Sequence, residues 1–242
     1  MKEMNNFFEY DTKSYPISLD LVDSSVKFKL FVDIINKYHS YKSFKHSPCR
    51  NLRWLVYEKS DNLVGAIGLS SAAIGVTCRE NYVGWTRETK VKNLNKVAAN
   101  SRFCLVQERF TIKNVGSMTL KLLASEGAKV WKERYGDQLV LLETFIEASE
   151  NRIGCVYKAS NWLEIGITSG SSISKAPYKL WLGEDGPRGD LARKDKAAAI
   201  KKYGKYLGDS GNDSGYKITK TTKKLVFIKP LVKNWKIILN TP

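Results

Sequence analysis

The stretch of sequence that decides the fold runs from Arg134 to Gly170 and reads RYGDQLVLLETFIEASENRIGCVYKASNWLEIGITSG. After a turn at Gly136, residues 139–146 form a nearly continuous apolar run that is long enough for one strand. Because such a run is apolar on both faces, it predicts a central, buried strand rather than an edge strand. Glu143 interrupts the run, and a buried carboxylate is costly unless it is paired. We therefore expect Glu143 to have a cationic or hydrogen-bonding partner.

A short helix and a second strand follow this run. Residues 154–162 contain small side chains that allow a helix to pack close to the sheet, and residues 163–168 predict the next strand. Tyr157 and Asn161 lie four positions apart and so share one face of the predicted helix. The unit is therefore strand, helix, strand, and a polar cluster of Glu143, Tyr157 and Asn161 lies where it folds back.

Strands and helices alternate on both sides of this unit. Periodicity and turn signals predict a helix over 26–38, strands over 52–57 and 63–73, a helix from Thr86 to about 99, a strand over 100–106, a helix over 115–134 and a last strand over 224–231. Residues 79–85 are expected to be a loop, and residues 171–223 a basic, loop-rich insertion. The order predicts an α/β fold with one mixed sheet flanked by helices. We expect a single domain over 1–242, with its core at 26–170 and a final strand within 224–239.

The charge of the chain points to a polyanionic partner. Lys and Arg number 40 against 24 Asp and Glu, which gives a net charge of +16 and an isoelectric point near 9.6. From Gly170 onward there are 16 basic and 6 acidic residues. Such an excess most often marks a nucleic-acid-binding protein. The lysines expected to contact phosphates are Lys201, Lys202, Lys205, Lys223 and Lys224.

Other features of the composition exclude several classes of protein. No apolar run is long enough to span a membrane, and the N-terminal residues lack the apolar core of a signal peptide. We therefore expect a cytoplasmic protein without a membrane partner. The four cysteines are scattered singly and only two histidines occur, so a zinc knuckle or a His-rich metal site is not expected.

The order of elements resembles the GNAT acyltransferase fold. In that fold the N-terminus of the helix after the fourth strand binds the donor's pyrophosphate through Arg/Gln-x-x-Gly-x-Gly/Ala. The matching segment here is Arg109 to Ser117, which lacks the Gly-x-Gly spacing. Asn114, Gly116 and Ser117 open the predicted helix, and free backbone N–H groups at such a position can bind an anion. The resemblance implies an acyl donor such as acetyl-CoA, and a structure would test whether strands four and five part to admit it.

A closer resemblance is to the DruA family of Druantia anti-phage systems, whose domain also occurs in mobile elements. The motifs that carry it are Tyr38-His39-Ser-Tyr41, Leu52-Arg53-Trp54, Gly65-Ala-Ile-Gly-Leu-Ser-Ser-Ala-Ala73, Arg79 with Gly84-Trp85, Asn100-Ser101-Arg102-Phe103, Tyr135-Gly136, Leu142-Glu143-Thr144-Phe145, Gly154-x-x-Tyr157-x-Ala-x-Asn161-Trp162 and Gly166-x-Thr168-x-Gly170. They cover more than half of the chain in order. Val115-Gly-Ser117 departs from the family's frequent Leu-Ala-Ser at the helix start.

The motif from Gly154 to Trp162 also resembles Mom-type phage proteins, which are GNAT-like and modify adenine in DNA with a small acyl-derived group. This more distant resemblance implies a transferase that acts on a base in DNA or RNA. Because a base amine is a weak nucleophile, the site must orient it and accept a proton.

The residues expected to act in such a site are of three kinds. His39 and Glu143 are the candidate bases, and Tyr157 completes the polar cluster. Arg102, Asn161 and Arg79 are candidates to hold a phosphate or a carbonyl, and Trp85 or Trp162 to stack on a flipped base. We expect Arg102 to be the nearest partner of Glu143. Six of these residues are expected to converge in one cleft: His39, Arg79, Arg102, Glu143, Tyr157 and Asn161.

Two other functions fit the same sequence. The first is a DNA-binding module of a DruA-like defence system that performs no chemistry, in which lysines hold phosphates and aromatic residues stack on bases. The second is a nuclease or strand-transfer protein, in which Glu80, Glu143 and Glu164 would hold Mg²⁺. Nucleic acid is the expected partner in all three cases, together with partner proteins of a defence system.

Overall fold

The structure is a computed structural model that describes residues 15–39, 44, 49–59, 61–147, 153–168, 178–182, 187–193, 216–220 and 223–241. Its main sheet has seven strands in the order β1-β2-β3-β4-β5-β10-β6, and a smaller sheet has the order β8-β7-β9. The large sheet is built from β1 (Ile17–Leu21), β2 (Asn51–Glu58), β3 (Asn62–Ser71), β4 (Val97–Leu105), β5 (Leu141–Glu147), β6 (Leu163–Ile167) and β10 (Lys224–Pro230). The small sheet contains β7 (Tyr178–Leu182), β8 (Pro187–Arg193) and β9 (Tyr216–Lys220).

The helices pack on both faces of the large sheet. They are α1 (Ser25–Tyr38), α2 (Thr77–Val83), α3 (Arg87–Asn93), α4 (Val115–Leu122), α5 (Ala128–Tyr135), α6 (Cys155–Ala159) and α7 (Trp235–Asn240). A π-helical turn over Leu123–Gly127 joins α4 to α5. The structure thus confirms the predicted fold class, a mixed sheet flanked by helices. None of the helices in the described residues is long and apolar enough to cross a lipid bilayer.

Alternating side chains on the strands assign each helix to a face. Trp54 and Val56 of β2 pack with α4, α5 and α6, whereas Leu55, between them, packs with α1. On β5, Leu142 packs on the same side as α4, α5 and α6, and Leu141 packs with α2 and α7. Helices α1, α2, α3 and α7 therefore cover one face of the sheet, and α4, α5 and α6 cover the other.

The centre of the sheet contains a fork. Strands β4 and β5 are parallel, whereas the other paired strands of the large sheet are antiparallel. Their pairing extends over Val97↔Leu141, Ala98↔Leu142 and Ala99↔Glu143 and then stops, although both strands continue. The two strands therefore part beyond Ala99 and Glu143.

Two predicted segments differ from the structure. The loop predicted over 79–85 is mostly helix α2, which ends at Gly84 in the left-handed conformation with φ +86°. The helix predicted from Thr86 to about 99 ends at Asn93, because Val97 pairs as the first residue of β4. Val91, in the middle of this helix, is 77% exposed. Thr86 is the N-cap of this helix and forms a capping box with Thr89.

The C-terminal third also differs from the prediction. Part of the insertion expected over 171–223 forms β7, β8 and β9, so this segment is not simply loop. The last strand is confirmed as β10, and the residues after it form α7. Strand β10 lies between β5 and β6, so the two strands of the predicted strand–helix–strand unit do not pair with each other.

Glu58 is a buried carboxylate that holds the segment before α4 against the β2–β3 hairpin. It accepts hydrogen bonds from the Thr111 N–H at 2.9 Å, the Thr111 hydroxyl at 2.8 Å and the Asn62 amide at 3.0 Å. Burial alone would raise the pKa of Glu58, but these hydrogen bonds favour the carboxylate and bring its pKa below the ordinary value.

We predict that this carboxylate makes stability depend on acid pH. A carboxyl group whose pKa is lower in the folded than in the unfolded state stabilises the fold when the pH is above the unfolded-state pKa. That stability is lost as the pH falls through the folded-state pKa. In chemical denaturation, Glu58→Gln should therefore be less stable than the wild type at neutral pH, and the difference should shrink on acidification. Thr111→Val, which removes one donor, should show a smaller effect of the same sign. A difference that stays constant across this pH range would contradict the prediction.

Candidate functional site

A cleft of about 430 Å³ opens where β4 and β5 part. Both strands contribute to its walls, together with the C-terminal end of α1 and the segment that begins α6. Its lining includes Tyr38, His39, Asn100, Ser101, Phe103, Cys104, Leu105, Thr144, Phe145, Ile146, Gly154, Cys155, Val156 and Tyr157. Because α1 and α6 lie on opposite faces of the sheet, the cleft is lined from both faces.

A hydrogen-bond network joins the two strands at the narrow end of the cleft. The Tyr157 hydroxyl donates to Asn100 Oδ1 at 2.7 Å, and the Thr144 hydroxyl donates to the Asn100 backbone oxygen at 3.1 Å. The Thr144 and Tyr157 oxygens are 3.4 Å apart. The Asn100 amide group donates in turn to Gly68 O at 3.1 Å. This network fixes the Tyr157 hydroxyl as a donor at a defined position.

The ring of Tyr157 is held by aromatic packing. It contacts Trp162 edge-on with ring centroids 5.1 Å apart and stacks against Phe227 at 5.9 Å. Gly154, which precedes α6, has φ +75°, and a Cβ atom there would lie 2.5 Å from Phe227. Since only glycine fits this position, the sequence requires Gly154 to bring α6 against the sheet.

The opposite face of the fork carries a buried ion pair. Glu143 lies at the last paired position of β5 and accepts from Arg79 Nη1 at 2.7 Å and from the Ala73 N–H at 3.0 Å. Arg79 also donates to Ala73 O at 2.8 Å, and its guanidinium lies 5.2 Å from the ring centre of Trp85. Both charged side chains are 0% exposed. The pair therefore joins α2 and the segment after β3 to the fork.

Burial raises the pKa of the Glu143 carboxyl, and the Arg79 guanidinium and the Ala73 N–H oppose that rise. The buried Arg79 guanidinium requires the carboxylate beside it, because an unpaired buried charge is strongly destabilising. With both oxygens bonded and no exposure, Glu143 is not placed to accept a proton from a substrate. The expected partner Arg102 is replaced by Arg79, because Arg102 follows Ala99 on β4, beyond the point where the strands part.

The six residues expected in one cleft occupy more than one place. His39 and Tyr157 line the cleft, but they approach it from opposite faces of the sheet. Arg102 donates to Ser101 O beside the lining, and Asn161 is exposed in a turn with φ +57°, where its carbonyl oxygen accepts from Lys229. The prediction of one convergent cluster is therefore corrected to a lined cleft and a separate buried ion pair.

Three residues expected to contact nucleic acid have structural contacts instead. Arg79 is buried against Glu143, and Trp162 is 3% exposed against Tyr157, so neither reaches the surface. The Trp85 indole N–H donates to Leu239 O at 2.7 Å, which attaches the last helix. Among the lysines, Lys223 is exposed and Lys224 is half-buried. Lys201, Lys202 and Lys205 lie outside the described residues.

The N-terminus of α4 has only part of the geometry expected of a binding site for the donor's phosphates. Asn114 occupies the N-cap position with φ +63° and makes no side-chain cap bond. Ser117 donates back to Asn114 O at 3.1 Å, and a Cβ atom on Gly116 would lie 2.5 Å from Val156 of α6. Helix α6 therefore covers Gly116, and no glycine-rich cradle stands open there.

Two residues at the fork were absent from the predicted site. Asn100 and Thr144 join the strands, and both were visible in the sequence as polar residues next to apolar ones in predicted strands. Their partner could not be read locally, because Asn100 and Tyr157 are 57 positions apart.

The Cys104 thiol in the cleft is protonated, and Glu80 and Glu164 are paired. Burial raises the pKa of the Cys104 thiol to about 11, so this thiol in the cleft stays protonated at neutral pH. Glu80 pairs with Lys90 at 3.1 Å and lies 3.8 Å from Arg79, whereas Glu164 pairs with Lys158 at 2.9 Å, so the three carboxylates considered for Mg²⁺ do not form one cluster. In the part of the chain that the structure describes, no three His, Cys, Asp or Glu residues form a metal-binding group.

We predict that the buried ion pair is required for stability. Glu143→Gln leaves the buried Arg79 charge with only the Glu80 carboxylate, which lies 3.8 Å from its Nη2 atom, and breaking a buried ion pair typically costs about 3–5 kcal/mol. Chemical denaturation should show a loss of that order. Glu164→Gln breaks an exposed ion pair, and should change the free energy of unfolding by about 1 kcal/mol or less. Equal effects of the two substitutions would contradict the assignment of the buried pair.

Comparison with solved structures finds N-acetyltransferases at low similarity. The ribosomal-protein-S18-alanine N-acetyltransferase from Escherichia coli has a TM-score of 0.45 at 8% identity, covering 90% of this chain and 95% of that chain. The spermidine N-acetyltransferase from Vibrio cholerae, in complex with CoA and spermine, has a TM-score of 0.47 at 8% identity, covering 89% and 96%. Scores this low establish neither a shared activity nor a shared ligand.

No curated protein sequence matches the chain. A family model does match it, over residues 1–177, and its description is Druantia protein DruA. The match covers most of the sequence and includes the fork, the cleft and the buried ion pair. The chain therefore belongs to the DruA family.

Proposed function

We propose that the protein is a GNAT-like transferase that modifies a base in DNA with a small acyl-type group. The observation that carries this proposal is the fork: two parallel strands part and leave a cleft lined by His39 and Tyr157. Such a cleft offers space for a donor and a proton-transferring group on each side of it. RNA is the other acceptor with the same base chemistry.

The proposed reaction moves two protons. The amine nitrogen of the base forms a bond to the acyl carbon, and the bond between that carbon and the leaving group breaks. His39 accepts the proton that the amine loses. The Tyr157 hydroxyl, which donates to Asn100 Oδ1 before substrate binds, turns its proton from Asn100 to the leaving group. An acyl thioester such as acetyl-CoA supplies an activated carbonyl carbon when bound.

The cleft suits the acyl arm of such a donor better than its phosphates. The walls formed by Leu105, Ile146 and Val156 are apolar, which suits a thioester chain. The start of α4 is covered at Gly116, so the donor's phosphates would need a cationic partner elsewhere.

The acceptor is proposed from the charge and from the family. A net charge of +16 favours a polyanion, and family membership favours a role in anti-phage defence beside partner proteins. Residues 170–236 carry much of the excess positive charge and are the proposed DNA-contacting surface. A cytoplasmic location agrees with an acceptor of this kind.

A DNA-binding module without chemistry is the second candidate. The observation that favours it is the hydrogen-bond network of Asn100, Thr144 and Tyr157, which bridges the two strands and closes the narrow end of the cleft. A purely structural bridge would serve a binding module as well as an enzyme. The two candidates differ in whether the bridge has a chemical role.

We predict that purified protein incubated with acetyl-CoA and DNA yields an acylated nucleoside, detected by mass spectrometry after digestion. Tyr157→Phe keeps the ring packing but loses the proton donor, so its kcat should fall by roughly 10²–10⁴-fold. His39→Gln should lower the rate and weaken its dependence on pH near neutrality. Trp235→Phe, at the distant α7, is the control. A wild-type protein that binds DNA and leaves every nucleoside unmodified would favour the binding module.

We also predict salt-dependent binding to DNA. Neutralising about six phosphates would give a slope near −5 for the logarithm of affinity against the logarithm of salt on a duplex. Replacing Lys201, Lys202, Lys205, Lys223 and Lys224 with Gln should make this slope shallower. An unchanged slope would show that residues 170–236 are not the contact surface.

A further inference from the structure

Two cations converge on one tyrosine at the wall of the cleft. Tyr38 ends α1 and lines the cleft. The Lys37 ammonium lies 5.1 Å from the centre of the Tyr38 ring, and the Arg109 guanidinium carbon lies 5.6 Å from it. Lys37 and Arg109 come from α1 and from the short 3₁₀ turn after β4, so the fold brings them together.

These cations have no acidic partner in the described part of the chain. The ion pairs there include neither Lys37 nor Arg109. Hydrogen bonding by Lys37 and the nearby Arg109 charge lower the pKa of the Tyr38 hydroxyl, because both favour negative charge on its oxygen. The site therefore favours an anion at the position of that hydroxyl.

Several contacts hold Arg109 in place. Its guanidinium donates to Leu63 O at 3.0 Å, and its own carbonyl oxygen accepts from Asn62 at 2.9 Å. Two residues further on, Thr111 is fixed by the buried Glu58 carboxylate. Through Thr111, Glu58 thus holds the end of the turn that carries Arg109. An ordered arginine loses less conformational entropy when it binds an anion.

We propose that Lys37, Tyr38 and Arg109 form a phosphate-binding site at the wall of the cleft. Phosphate suits a pair of cations and a hydroxyl donor, since it carries charge and several acceptor oxygens. The phosphate can come from the backbone of a nucleic acid or from a donor such as CoA. The site does not depend on acyl transfer, because a binding module would use it in the same way.

Lys37 also lies in the last turn of α1, where a cation interacts favourably with the helix dipole. That role would affect stability and would leave phosphate binding unchanged. The two roles are separated by measuring binding and thermal stability on the same variants.

The first test uses inorganic pyrophosphate and isothermal titration calorimetry. Arg109→Gln should weaken binding at least tenfold, and Lys37→Gln should weaken it several-fold. Arg134→Gln removes the same charge from an exposed position on the opposite face, and its affinity should equal that of the wild type. Lys37 is exposed at a helix end, so Lys37→Gln keeps the test decisive if Arg109→Gln does not fold.

A spectroscopic measurement tests the site directly. Tyrosinate absorbance, taken as the difference between the wild type and Tyr38→Phe, reports the ionisation of Tyr38. Bound pyrophosphate should raise the pKa of Tyr38, because it neutralises the two cations. If Lys37 only stabilises the helix, adding pyrophosphate should leave the pKa of Tyr38 unchanged.

Two further titrations identify the source of the phosphate. If it is nucleic acid, Arg109→Gln should weaken binding of a single-stranded oligonucleotide and reduce its salt slope by about one. If it is the donor, Arg109→Gln should weaken binding of CoA and leave that of pantetheine, which lacks phosphates, unchanged. The proposal would be overturned if Arg109→Gln and Lys37→Gln bound pyrophosphate, the oligonucleotide and CoA as tightly as the control Arg134→Gln does. Loss of acyl transfer with phosphate binding intact would instead count against the transferase alone.

Discussion

The buried ion pair between Glu143 and Arg79 is the constraint on which the rest of the structure depends. A carboxylate at the last paired position of a central parallel strand cannot be solvated, so a cation must be brought to it. Helix α2 supplies the cation, and the segment after β3 supplies Ala73 to bond both partners. The Arg79 guanidinium lies over Trp85, whose indole N–H holds the end of α7. One charge thus organises four separate parts of the chain.

The fork explains why polar residues concentrate at the centre of an apolar sheet. Where two strands part, their backbone groups lose their partners in the ladder, and side chains must replace them. Thr144 bonds the Asn100 backbone oxygen across the fork on one face, and on the other face Glu143 bonds the Ala73 N–H of the segment after β3. Neighbouring residues of β5 therefore serve opposite faces. The cleft beyond them has a hydrogen-bonded base and walls that the parted strands keep open.

The sequence allowed the fold class and most elements to be predicted, because the alternation of apolar strands and amphipathic helices is local. It also indicated that Glu143 needed a partner. It did not identify Arg79, because the choice depended on where β4 and β5 part, and strand register is set by tertiary pairing. Helix α2 was missed for a related reason: its seven residues are too few to show a helical period, and Arg79 faces inward only because Glu143 is there. Gly154 was recognised as small, but the Phe227 ring that leaves no room for a Cβ atom there lies more than seventy positions later.

The position of β10 has a consequence for the order in which the protein forms on the ribosome. Strands β5 and β6 are made early, yet the strand that separates and pairs both of them begins at Lys224. Until it arrives, each of them exposes an unpaired edge, and the Phe227 ring that packs on Tyr157 is missing. The nascent chain must therefore carry an incomplete sheet through the synthesis of more than fifty intervening residues. During that interval it is open to misassociation and to capture by chaperones.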